Sequence, residues 1–217
     1  MNTREDEVKR GLEILNRLEA SYPGSARDLC ALQFATPYQL LIATILSAQC
    51  TDERVNSTTA TLFEVCGSPQ EMNKMSQEVL ESLIYSTGFY KNKSRNILEM
   101  TKVLLSRYGG EVPDTMEALT ALPGVGRKTA NVVLSVAFSM PGLPVDTHVG
   151  RLALRLGLTK EKDPVKVERD LMSWVPPDQT GVLSLRLILH GRSICVARKP
   201  RCGICKLADL CPSSTLV

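Results

Sequence analysis

Aromatic side chains are scarce. One Trp, five Tyr and four Phe make up 5% of the 217 residues, so the core has to be aliphatic, built from Leu, Val, Ile and Ala. Long apolar runs are also missing. The longest, Leu40 to Leu46, is interrupted by Thr44 and falls far short of the ~20 residues of a membrane-spanning helix. No stretch alternates apolar and polar positions with β-branched enrichment, which argues against a sheet. Neither a fixed-period repeat nor a low-complexity tract occurs. The opening MNTREDEVKR carries three acids, which fits neither a secretory signal nor an Arg-rich transit peptide. A cytoplasmic, nucleoid-associated protein with no membrane partner is expected.

Acids are absent from one long segment. Between Gly181 and Ala208 there are six cations, Arg186, Arg192, Arg198, Lys199, Arg201 and Lys206, and no Asp or Glu. Such a stretch can face phosphates, although a solvated basic surface is the simpler account of a charge run alone. The net charge of +3 adds little.

What is present reads almost entirely as helix. Val8, Leu12, Leu15 and Leu18 recur at helical spacing. Thr36-Pro37 caps a helix running to Gln49, and Asp52 opens another with Val55, Thr59, Leu62, Phe63 and Cys66 inward. Ser68-Pro69 and Ser76 start short helices, the second stopped by Gly88. A longer one with Ile97, Met100 and Leu104 ends at Gly109-Gly110. Helices follow over Asp114–Leu122 and Arg127–Phe138, after Asp146, after Asp163-Pro164, and over Leu183–Cys195. The fold class is all-α. The Pro- and Gly-containing loop Met140–Pro144 suggests a domain junction.

Leu122-Pro123-Gly124-Val125-Gly126 sits between a short helix and an apolar-faced one, a helix–hairpin–helix pattern. Pro123 stiffens the turn. Gly124 and Gly126 permit positive φ and a close backbone approach to an anion, and the next helix points its positive end the same way. An ordinary turn between helices also uses Pro and Gly. However, Arg127 and Lys128 follow at the helix N-terminus, where cations oppose the dipole, so an anionic ligand is indicated. Lys128 fits two roles, a Schiff-base nucleophile at a sugar carbon or a phosphate contact; partial burial would favour the first. Asp146, in Val145-Asp146-Thr147-His148, is a good N-cap. A cap leaves one carboxylate oxygen to stabilise a cationic sugar or to take a proton from Lys128. His148 reads as structural.

Of seven cysteines, Cys30, Cys50 and Cys66 look like buried free thiols. The others, Cys195, Cys202, Cys205 and Cys211, follow C-x6-C-x2-C-x5-C. Four thiols so close together signal a metal site, and zinc and iron–sulfur clusters both accept such a set. Arg198, Lys199 and Arg201 fall in the first loop, so the site would fold a basic finger for a DNA backbone.

Taken together, LLIATILSAQCTD (Leu40 to Asp52), GFYKNKSRNI (Gly88 to Ile97), the segment Gly110 to Leu134 around the hairpin, VDTHVGR (Val145 to Arg151) and Leu187 to Cys211 closely resemble the endonuclease III family of bifunctional DNA glycosylases, nearly end to end. The resemblance implies a two-domain helix–hairpin–helix glycosylase fold. Residues 30–140 would form a helical barrel, and 1–29 with 141–217 a discontinuous domain carrying one 4Fe-4S cluster on the four cysteines, with a DNA cleft between. It implies that Lys128 attacks C1′ of an oxidised pyrimidine nucleotide, with Asp146 assisting, and that β-elimination then cleaves the strand. Damaged double-stranded DNA is the implied partner of a monomer. Leu122, Gly124, Val125, Gly126 and Arg127 would meet the backbone. Gln49 matches the family residue that fills the space left by a flipped base. Phe89 stands where the family often has an aliphatic wedge, a modest departure that bears on opposite-base preference. Cys50 replaces a frequent alanine and carries no assigned function. Two rival readings are a monofunctional adenine-type glycosylase, which usually lacks the hairpin lysine, and a non-enzymatic damaged-DNA-binding module.

Overall fold

In the computed structural model, residues 4–216 are described, and among them every regular element is helical. The chain divides into two compact units, Cys30–Phe138 and Met1–Leu29 with Ser139–Val217.

The contiguous unit holds α3 (Pro37–Leu46), α4 (Asp52–Val65), α5 (Pro69–Met72), α6 (Gln77–Ile84), α7 (Tyr90–Tyr108), α8 (Met116–Thr120) and α9 (Arg127–Ala137). Hydroxyl caps start most of them. The side chains of Thr36, Thr51, Ser68, Ser76 and Thr115 each accept from a backbone N–H in the first turn, worth about 1 kcal/mol apiece. α3 is buried almost all round, from Leu40 to Leu46, as befits a helix enclosed by others. Leu41, Ile42, Leu46, Leu62, Met72, Leu80, Ile97, Met100, Leu104, Leu119 and Val133 form one aliphatic core. Its few polar groups are paired. Tyr38 Oη lies 2.8 Å from Thr101 Oγ1, and burial pushes its phenol above the usual range.

The other unit holds α1 (Arg4–Ser21), α2 (Ala26–Leu29), α10 (Thr147–Arg155), α11 (Pro164–Met172), α12 (Thr180–Ser193) and the cysteine segment. Ile14, Leu15, Leu18, Leu152, Leu171, Leu183, Leu187 and Leu207 make its core. The inward face of α1 differs from the expected stripe: Gly11 and Ile14 are buried with Leu15 and Leu18, while Leu12 is exposed. The cause is tertiary. A Cβ on Gly11 would come within 2.9 Å of the Trp174 ring, so a residue that costs a helix about 1 kcal/mol makes room for a large aromatic. α12 carries a buried cation. Arg186 Nε donates to Tyr22 O and Nη2 to Glu19 Oε1 at 2.9 Å, tying α12 to the end of α1.

Candidate functional site

The hairpin joins α8 to α9. Leu122 N–H donates to Leu119 O and Val125 N–H to Leu122 O, both at 3.1 Å. Leu122 and Val125 turn their side chains into the core, 3% and 6% exposed, so they set the shape of the turn and do not face outward. Gly124 has φ +76, and a Cβ there would lie 2.7 Å from Asn96 Cβ; both backbone and space demand glycine. Gly126 differs from expectation. It is extended, with φ −91 and ψ 172, and a Cβ would meet nothing within 4 Å. Folding does not require glycine there. Arg127 and Lys128 are exposed in the first turn of α9, so Lys128 lacks the partial burial considered from the sequence. As in any helix, the leading amides have no acceptor within α9 itself, and the outward surface of the turn is electropositive.

Asp146 caps α10. Its Oδ1 accepts from His148 N at 2.8 Å and Val149 N at 2.9 Å. The second oxygen is not left bare, as Oδ2 lies 3.2 Å from His148 Nδ1. The i, i+2 spacing in Val-Asp-Thr-His was the available signal for that contact. The carboxylate side chain is 16% exposed, enough to reach solvent and a ligand. Lys128 and Asp146 belong to different units.

Cys195, Cys202, Cys205 and Cys211 line one recess, walled by Leu152, Leu156 and Ile194. The backbone brings them there in tight steps. Cys195 N–H donates to His190 O at the end of α12, Arg201 N–H returns to Ile194 O, and Cys205 N–H bonds Cys202 O. Arg155 pins the first loop. Its Nη1 reaches Cys195 Sγ at 3.4 Å and Val196 O at 2.8 Å, and Nη2 reaches Ala197 O. Cys205 Sγ lies 3.4 Å from His190 Nε2. Among the described residues no three His, Cys, Asp or Glu side chains converge as ligands of a single ion. Four thiols lining one apolar recess are the donor set that an iron–sulfur cluster takes. Burial raises the thiols of Cys205 and Cys211, whereas hydrogen bonds from Thr215 lower that of Cys202; iron would offset the cost of the buried thiolates. Arg198, Lys199 and Arg201 are exposed on the first loop, with Lys199 at φ 53.

Gln49 and Phe89 are also exposed, Phe89 by 63%. Both take positive φ, 55 and 50, unusual for residues other than glycine. The helix expected to run to Gln49 ends at Leu46. Of the three isolated cysteines only Cys66 is buried, while Cys30 and Cys50 are partly exposed. Lys93 is a buried cation that no motif marks in the sequence. It is 5% exposed, and its position four residues before Ile97, on the apolar stripe of α7, was the signal for burial.

Residues 42–177 match the family described as HhH-GPD superfamily base excision DNA repair protein. Residues 195–211 match the iron–sulfur binding domain of endonuclease III. The chain is 51% identical to endonuclease III of Synechocystis sp. over 95% of its own length and 93% of that protein. It is 45% identical to endonuclease III of Escherichia coli K12 over 92% and 93%. It is also similar to the structure of a trapped endonuclease III–DNA covalent intermediate, an estranged-adenine complex. The TM-score is 0.88 and the identity 41%, with 98% of this chain and 97% of that chain covered.

Proposed function

The chain belongs to the endonuclease III family and is a bifunctional DNA glycosylase and abasic-site lyase of base excision repair, carrying one 4Fe-4S cluster; within that activity we propose that Lys128 is the nucleophile and Asp146 its assistant, acting on oxidised pyrimidines. One observation carries the assignment: an exposed lysine in the first turn of α9, directly after a turn whose outer glycine has no folding role. Such a turn receives a phosphate on its amides and so brings a nucleotide's sugar within reach of Lys128.

The Lys128 amine bonds to C1′ as the glycosidic bond breaks, and the base departs with a proton. Ring opening gives an imine. Loss of a proton from C2′ expels the 3′ phosphate, and water then releases the amine. The Asp146 carboxylate stabilises the cationic sugar and accepts the ammonium proton; its bonds from the α10 amides and His148 hold it in one orientation. Cys195, Cys202, Cys205 and Cys211 would hold the cluster, whose iron–thiolate bonds supply structure to the loop bearing Arg198, Lys199 and Arg201. Those three and Arg127 contact phosphates. The lesion is flipped from the stack while Gln49 and Phe89 occupy the space it leaves. We read the enzyme as a monomer working in the nucleoid; among the described residues no helix is long and apolar enough to cross a membrane.

Borohydride added to the protein with duplex DNA bearing one abasic site tests the assignment. A covalent adduct, absent from Lys128→Ala, is expected. Tight binding without an adduct would favour the monofunctional reading of the site instead.

A further inference from the structure

Lys93 lies in the first turn of α7 (Tyr90–Tyr108) and is almost wholly buried. Its ammonium donates to two backbone carbonyls, Leu46 O and Thr87 O, each at 2.8 Å. The first is the last carbonyl of α3, where a cation meets the negative end of a helix. The second ends the 3₁₀ turn Tyr85–Thr87. Three residues beyond Leu46 stands Gln49, and two beyond Thr87 stands Phe89, the two non-glycine residues of positive φ described in this unit. Lys93 also holds the second turn through its backbone, whose N–H donates to Phe89 O at 3.1 Å.

A buried ammonium is an expensive way to join two turns. Desolvation pulls the Lys93 amine below its usual range, so the charged form is retained against a cost. A neutral side chain could fill the space, but only an ammonium offers three donors from one point.

We propose that Lys93 is a positioning residue that clamps the Gln49 turn to the Phe89 turn, so that the two side chains enter DNA as one rigid pair. The proposal rests on the reading of Gln49 and Phe89 as the residues that fill the vacated stack. Strained backbone at both sites persists only where surrounding structure over-determines it, and Lys93 is the group bonded on the approach to both.

The experiment compares Lys93→Met, which keeps the stem, with the unsubstituted protein in single-turnover excision of an oxidised pyrimidine beside a 2-aminopurine reporter. Excision and the fluorescence rise should slow by about tenfold or more, the penalty of a misplaced positioning group. Incision of a preformed abasic site, where unstacking costs least, should slow far less at equal iron content. Lys93→Arg should recover part of the loss. In a Gln49→Ala, Phe89→Ala background, Lys93→Met should add nothing further. If that double variant excises at the normal rate, the wedge reading falls and takes the proposal with it. If the double variant is slow and Lys93→Met still adds its full effect, only the proposal falls. Failure of both Lys93→Met and Lys93→Gln to yield folded, iron-loaded protein would show that Lys93 serves the core, and would overturn the proposal as well.

Discussion

Replacing Asp146 with Asn separates two duties of one side chain. Asn keeps an oxygen for the His148 and Val149 amides but carries no charge. Asp146→Asn is expected to cost well under about 1 kcal/mol in urea denaturation, and Asp146→Ala about 1 kcal/mol or more, the worth of a cap. Base excision should fall sharply in both. Normal excision by the Asn variant would leave the cap as the residue's whole role. Cys66 makes a different prediction. Burial, and next the charge of Glu71, push its thiol from 9.0 up to about 11. A raised acid favours the neutral form in the fold, so the stabilisation is full below pH 9 and is lost as pH rises through about 11. Denaturation midpoints between pH 8 and 11 should therefore fall more for the native protein than for Cys66→Ala. Parallel curves would refute the assignment.

Among elements, the hairpin offers the sharpest contrast. Gly124→Ala must place a methyl 2.7 Å from Asn96 Cβ at φ +76, and should cost about 1–3 kcal/mol. Gly126→Ala meets nothing and should cost less than about 1 kcal/mol, yet weaken DNA binding in a salt titration. Unchanged DNA affinity would remove the phosphate from that turn. The starts of helices were legible because they are written in single residues: Thr36, Ser68, Ser76, Asp146 and Asp163 all cap as their types suggest. Ends were less so. Ser47-Ala48 contains nothing that stops α3, and the Lys93 bond to Leu46 O comes from 47 positions away. The outer positions of α1 were misjudged for a similar reason, since Trp174 decides which face turns inward. The four cysteines were plain in the sequence because their spacing is itself the chemistry. Lys93 was not, because its partners are carbonyls and carbonyls have no residue type.

For the molecule as a whole, two separate cores predict a divided response to iron removal. Stripping the cluster by oxidation and chelation should abolish amide protection over residues 195–211 and loosen α10, which loses its Arg155 anchorage. Protection in α3, α7 and α9 should survive. Uniform loss across the chain, followed by hydrogen exchange, would show that the cores are not independent. The discontinuous unit also has a kinetic consequence. α1 is translated first, yet its Arg17 pairs with Asp209 at 2.6 Å, its Arg10 with Leu156 O and Leu210 O, and its core partners include Leu207. At about 5–20 residues per second the helix waits roughly ten to forty seconds for those residues to be made. During that interval the segment Cys30–Phe138 is complete and can fold, whereas α1 leaves the ribosome with an unpaired apolar face. The nascent chain therefore leaves α1 open to chaperones until residues 156–210 emerge, and folding of the cysteine segment that carries Asp209 and Leu210 is expected to complete the docking of α1.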